Sequence, residues 1–386
     1  MMKETIISTS TTQQLLSLVR ASLWQTPVDT RPSQDALTSG SYINWDAITT
    51  MALQQTVGVS AFTAALTLPP QLLPSKEWRH KAYSFIERNR RTHLLLDSCV
   101  AEATQLLKEV DIPNVLLKGQ AYARNYPAST LRQCGDIDLY VGEANYRKAY
   151  EATKKLGWQS TEEFIPKSKH YGCALKGVRI ELHRLAGILS SPKANRKFQE
   201  WSTQQLLHSN RKINIDKEEI SLPTPIFDVI FVFLHLYHHF INGGIGLRQV
   251  CDWVTLLHTH SNSIDHNELT HRLKEFQLLK PWQAFTPIAV QYLALPEYEC
   301  PLYSPKYTKR AEKIFSFILK EGNFGRYRAS VKPCPKGYWQ QKIYAFRQVN
   351  SKMLPRLSVD PWRILNTYTR TLYSGMRGII YHILRL

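Results

Sequence analysis

Cysteine is sparse and unpaired in this chain. Its six residues, Cys99, Cys134, Cys173, Cys251, Cys300 and Cys334, are scattered over 386 positions with no Cys-x-x-Cys among them. That spacing excludes a zinc ribbon and a thioredoxin-type redox motif, and it fits reduced thiols in a cytoplasmic protein. Long apolar runs are missing as well. No stretch reaches the roughly 18 to 20 apolar residues of a membrane span, and the opening Met-Met-Lys-Glu-Thr-Ile-Ile lacks the apolar core of a signal peptide. Negative charge is short: 31 Asp and Glu stand against 49 Lys and Arg, a net +18. The deficit is local, because residues 301–386 hold 17 Lys and Arg against Glu312, Glu321 and Asp360 and so carry +14 of the excess. A basic field of this kind attracts a polyanion, either RNA or an anionic membrane surface, so the expected location is cytoplasmic with a peripheral membrane contact as one option.

What is present is a folding composition, 43% hydrophobic and only 21% charged. Apolar residues at helical spacing predict helices over 11–24, 45–66 and 78–110, with 26–41 as a loop between the first two. Pro113 marks a change. Residues 114–118 read as a short apolar strand, Gly119 permits a tight turn into 121–126, and Pro127 stops that helix. A second strand, 136–141, is followed by a helix over 143–156. Residues 170–183 alternate as two strand arms around Lys176-Gly177, a hairpin signature. From Pro192 onward the pattern is helical, with 321–361 broken by Gly and Pro and 363–386 a final basic, aromatic helix. The expected organisation is an N-terminal helical layer (1–110), an α+β core with a small mixed sheet (111–190), a helical domain (191–300) and a basic helical region (301–386).

The chemistry centres on 136–138. Strand side chains alternate, so Asp136 and Asp138 share one face while Ile137, Leu139 and Val141 share the other. Two acids side by side repel, and a divalent cation is the simplest group to hold them. Glu181 lies on the polar face of the second hairpin arm with Arg179 and His183. If that arm lies beside the Asp strand, three carboxylates converge, a set able to hold two Mg²⁺ ions about 3.5–4 Å apart, with Mn²⁺ as the alternative. Such a site serves phosphoryl and nucleotidyl transfer, which need mainly positioning and charge neutralisation. His235, His238 and His239 fall near one helical face, which fits packing or pocket lining better than zinc; Arg248 and Asp252 stand at i, i+4 and can pair with each other.

Lys118-Gly119, Arg132-x-x-Gly135-Asp136-Ile-Asp138-Leu-Tyr-Val141 and Ile180-Glu181-Leu-His183 together resemble the nucleotidyltransferase superfamily of the polymerase-β fold. Over residues 45 to 260 the chain is similar to an uncharacterised bacterial nucleotidyltransferase family, whose pattern extends through Gly243-Gly-Ile-Gly-Leu-Arg248-Gln-Val-Cys-Asp252-Trp. The resemblance implies Asp136, Asp138 and Glu181 as catalytic metal ligands. It implies that Lys118, Gly119 and Arg132 face the nucleotide phosphates and that His183, His239, Arg248 and Asp252 line the substrate pocket. It implies an NTP as substrate and a hydroxyl or phosphate acceptor on a small molecule, sugar, protein or RNA end, in settings such as surface-polysaccharide biosynthesis. Many superfamily members carry Gly-Ser or Gly-Gly at the turn, where this chain has Lys118-Gly119-Gln120. That departure keeps a catalytically inactive nucleotide- or nucleic-acid-binding module as the alternative.

Overall fold

The computed structural model describes residues 9–31, 43–325 and 335–385; Cys334 and most of the loop expected over 26–41 lie outside them. Among the described residues four helices come first: α1 (Thr9–Trp24), α2 (Trp45–Gln54), α3 (Gly58–Ala65) and α4 (Lys76–Glu109). The stripe Leu15, Leu16, Val19 and Leu23 is buried as its spacing requires. Asn44 and Ser75 cap α2 and α4 by accepting from the backbone N–H groups of Ala47 and Trp78. The single helix expected over 45–66 is broken at Thr56, whose φ is +57°. The break turns the Gln55 side chain inward, where Nε2 donates to the Ile318 carbonyl at 3.0 Å and Oε1 accepts from the Leu247 N–H at 3.0 Å. Those two bonds tie the N-terminal helices to segments about 190 and 260 residues away.

The sheet follows. It is built from β1 (Val115–Leu117), β2 (Ile137–Tyr140), β3 (Gln159–Ser160), β4 (His170–Leu175) and β5 (Val178–His183), with α5 (Gly119–Ala123) between β1 and β2 and α6 (Gly142–Lys155) between β2 and β3. The strand order is β1-β2-β5-β4-β3. Strand β2 runs antiparallel to β1 and parallel to β5, so the sheet is mixed and its central pair is the one that carries the acids. Lys176 (φ +51°) and Gly177 (φ +77°) turn β4 into β5 with the two positive φ angles a tight hairpin needs.

The remainder is helical: α7 (Pro192–Leu207), α8 (Pro225–Asn242), α9 (Leu247–His260), α10 (His266–Glu275), α11 (Leu279–Pro287), α12 (Thr308–Glu321), α13 (Tyr338–Met353) and α14 (Pro361–Arg385). Two elements depart from the sequence reading. Residues 212–221 form a hairpin, β6 (Lys212–Ile215) with β7 (Glu218–Ser221), turned at Asp216 and Lys217 by φ angles of +49° and +73°. Its arms hold only Ile213, Ile215 and Ile220 as apolar signal, and it is secured by Lys108 of α4, which donates to the Glu219 carbonyl at 2.8 Å. The stretch read as broken, 321–361, contains α13; three of its large apolar residues, Trp339, Ile343 and Phe346, face outward, so no buried stripe advertises the helix. One hydrophobic cluster runs from Leu15 in α1 to Ile364 in α14, and α8, apolar on nearly every side, passes through it.

Candidate active site

The β2–β5 register sets Asp138 directly opposite Glu181. Asp138 is only 2% exposed, and a single oxygen takes two cationic or hydrogen-bonding partners: Oδ1 lies 2.8 Å from Lys118 Nζ and accepts from His183 Nε2 at 2.8 Å. Burial alone would raise the Asp138 pKa; the Lys118 ammonium and the His183 bond outweigh it and hold the carboxyl well below the usual range. Glu181 is partly buried. Burial pushes its pKa up, but the His183 bond prevails and brings it down to about 2. Its two oxygens are divided, Oε1 lying 3.1 Å from Arg179 Nη2 and Oε2 3.5 Å from His183 Nε2. One imidazole nitrogen therefore bridges the two carboxylates.

Asp136 sits just before β2 at the exposed rim. The surrounding protein, and next the Asp138 carboxylate, push its pKa up, while Lys118 and Arg248 pull it down. It is the one acid of the three that lacks a committed cation, and the one most favoured by an added positive charge. Lys118 reaches Asp138 because its backbone takes φ +46°, ψ −145°, a region that only glycine occupies without strain. Gly119 follows at φ +43°, and a Cβ there would lie 3.1 Å from the Asp136 carbonyl oxygen. The turn is thus packed closely against the acid loop, and a side chain there would have to push the Asp136 carbonyl aside. Gln120 does not point into the cleft; its Nε2 donates to Asp97 Oδ1 at 2.5 Å on α4.

Other residues singled out from sequence are placed differently. Asp252 does not pair with Arg248. It accepts from Arg132 Nε at 2.7 Å and Nη2 at 2.9 Å, and from the Tyr126 hydroxyl at 2.8 Å, with both charged side chains 5% exposed. The reason is geometric: Asp252 lies on the buried face of α9 while Arg248 turns to donate to the Gln133 carbonyl at 2.9 Å. Arg132 is thereby paired with Asp252, and its Nη1 donates to Cys134 Sγ at 2.8 Å. His93 Nε2 lies 2.7 Å from the Arg132 carbonyl and fixes the same loop. His235 and His239 on α8 pack ring to ring, with centroids 4.4 Å apart. Both feel the Lys118 and Lys169 charges, and burial, then neighbouring charge, takes His239 down to about 4. This face of α8 therefore looks toward Lys118 and Lys169. A groove of about 580 Å³ lined by Leu189, Tyr237, Lys280, Arg310 and Arg363 includes none of the acids.

Two residues near the site went unmarked in sequence, Lys169 and His170. Counting register outward from the Lys176-Gly177 turn pairs His170 with His183, so the second was within reach of the hairpin reading. Burial, then Lys118, lowers the Lys169 pKa, with Asp138 and Glu181 opposing.

A mixed sheet with acids facing each other on adjacent parallel strands, a glycine turn beside them and helices closing over one side is a nucleotidyltransferase-type α+β fold. The family model for uncharacterised nucleotidyltransferases matches residues 41–294, and the chain belongs to that family. Among solved structures it is similar to an antigenic nucleotidyltransferase-like protein from Paracoccidioides brasiliensis, at 13% identity, over 55% of this chain and 96% of that one, with a TM-score of 0.33. No curated protein matches the chain.

Proposed function

We propose that this protein transfers a nucleoside monophosphate from an NTP to a hydroxyl or phosphate acceptor, releasing pyrophosphate, with Mg²⁺ held by Asp136, Asp138 and Glu181. The observation that carries the reading is the facing of Asp138 and Glu181 across the parallel β2–β5 pair, with Asp136 two residues away at the rim. The donor set suits a hard divalent cation: Asp138 and Glu181 are paired across β2 and β5, Asp136 is two residues away, and the most buried of the three is held ionised. When bound, the ions, two by this reading with Mn²⁺ able to replace Mg²⁺, neutralise the triphosphate and acidify the acceptor hydroxyl. Lys118 exchanges its Asp138 contact for a phosphate oxygen as the nucleotide enters. The Gly119 turn gives the triphosphate close backbone approach, and the Arg132–Asp252 pair locks the acid loop to α9. His239 and Arg248 line the acceptor side, in a cleft between the core (111–190) and the following helices (191–300).

The acceptor is a small molecule, sugar, protein or RNA end. The basic region beyond residue 300 favours a polyanionic partner, RNA or an anionic membrane surface, met from the cytoplasm. No helix among the described residues is long and apolar enough to cross a membrane. One observation favours a second reading, a non-catalytic nucleotide-binding module: Lys118 already balances Asp138 at 2.8 Å. The two readings part in one experiment. NTP labelled at the α-phosphate, with Mg²⁺ and cell extract, yields a labelled acceptor and free pyrophosphate if the protein is a transferase. Bound nucleotide that never turns over would favour the module.

A further inference from the structure

The antiparallel β4–β5 register sets His170 opposite His183, with ring centroids 5.2 Å apart. Glu181 lies on the same strand face, two residues before His183. Its Oε2 is 3.7 Å from His170 Nδ1 and 3.5 Å from His183 Nε2, and its other oxygen is taken by Arg179. One donor atom from each of the three residues falls within 4.8 Å of the others. Donors about 2.1 Å from a tetrahedral ion are separated from one another by about 3.4 Å, close to the 3.7 Å between Glu181 Oε2 and His170 Nδ1; His183 Nε2 is spent on Asp138, so the lone pair that ring has left is on Nδ1. The imidazoles also have donors to spare. His183 is wholly buried, its Nε2 donates to Asp138, and its Nδ1 has no hydrogen-bond partner; His170 Nδ1 is sealed from water and equally unpartnered. A buried nitrogen lone pair with no donor near it is an unmet demand. Carboxylates stand behind the rings as they do behind metal-ligating histidines: Asp138 on His183, and Glu162 Oε1 3.8 Å from His170 Nε2.

We infer that His170, Glu181 and His183 form a distinct site for a borderline divalent ion, Zn²⁺ or Mn²⁺, beside the Asp136–Asp138 pair, with Glu181 common to both. Two imidazoles and one carboxylate select such ions, whereas Mg²⁺ seeks an all-oxygen shell. The inference deepens the metal-dependent reading of this cleft by giving it a nitrogen-bearing half. An ion there orients Glu181 and pins the open end of the β4–β5 hairpin against β2.

The test is calorimetric titration of Zn²⁺ into the metal-stripped full chain in millimolar Mg²⁺, repeated with Co²⁺ to read ligand-field absorption. The expected result is one Zn²⁺ per chain despite the Mg²⁺, weakened about tenfold or more by His170→Ala. Asp136→Asn leaves it within about twofold. His170 is used because it is partly exposed, whereas His183→Ala would leave Asp138 without its buried partner. Zn²⁺ displaced outright by Mg²⁺, or equal affinity and Co²⁺ spectra in wild type and His170→Ala, would overturn the inference. Nucleotidyl transfer is scored separately. Zn²⁺ binding that depends on His170 in a protein without transfer activity would refute the proposed function and leave this site standing.

Discussion

The Arg132–Asp252 pair is the strongest test of how the acid loop is held. Asp252→Ala leaves the Arg132 guanidinium buried with Cys134 as its remaining side-chain partner and takes the acceptor from the Tyr126 hydroxyl. Breaking a buried pair from one side costs about 3–5 kcal/mol, and an orphaned hydroxyl adds about 1 kcal/mol. For a chain of this length that lowers Tm by about 5–7 °C. Arg132→Met together with Asp252→Leu removes both charges and should recover much of the loss, giving a coupling of at least about 2 kcal/mol. Urea unfolding followed by tryptophan fluorescence reads all four proteins. Asp252→Ala within about 0.5 kcal/mol of wild type, the scale of an ordinary surface change, or strictly additive single variants, would refute the lock. The same set separates two roles for Arg132. As a lock, its loss changes NTP affinity no more than Asp252→Ala does; as a phosphate ligand, Arg132→Met weakens NTP binding and Asp252→Ala does not.

Three further outcomes follow from the geometry. His239 is held near 4, below its ordinary value, so the stability from keeping it neutral is in place above about pH 6.5 and is lost as pH falls toward 4; His239→Gln should flatten the decline of urea stability over that window, and parallel curves would count against it. Gly119→Ala must adopt φ +43° with its Cβ 3.1 Å from the Asp136 carbonyl, costing about 1–2 kcal/mol and displacing the acid loop, so NTP affinity should drop by more than the stability change explains. Tyr373, Met376 and Ile380 stand exposed on one side of α14 next to Arg377, as Trp339 and Phe346 do on α13. Co-sedimentation with anionic vesicles should be lost in Met376→Asp and weakened by salt, and equal binding to neutral vesicles would rule out the electrostatic component.

Much of this architecture was legible because it is local. The Asp136-x-Asp138 alternation, the Lys176-Gly177 turn and the apolar α8 are each written in fewer than twenty consecutive residues. What escaped depends on distant partners. Nothing near Arg132 announces Asp252, 120 residues on, and the i, i+4 spacing of Arg248 and Asp252 offered a false local partner. The turn of Lys118 onto Asp138 rests on a backbone angle that side-chain patterns do not encode. The β6–β7 hairpin was hidden by polar arms, and α13 by an apolar face that points outward.

The most direct measurement is release of pyrophosphate and transfer of α-phosphate label by Asp136→Asn and Glu181→Gln, each matched to wild type in circular dichroism and thermal melting. A metal-holding acid site built on β2 and β5 predicts that both variants stay folded and lose transfer by about a hundredfold or more. Wild-type rates in either folded variant, at the same Mg²⁺ concentration, would contradict it.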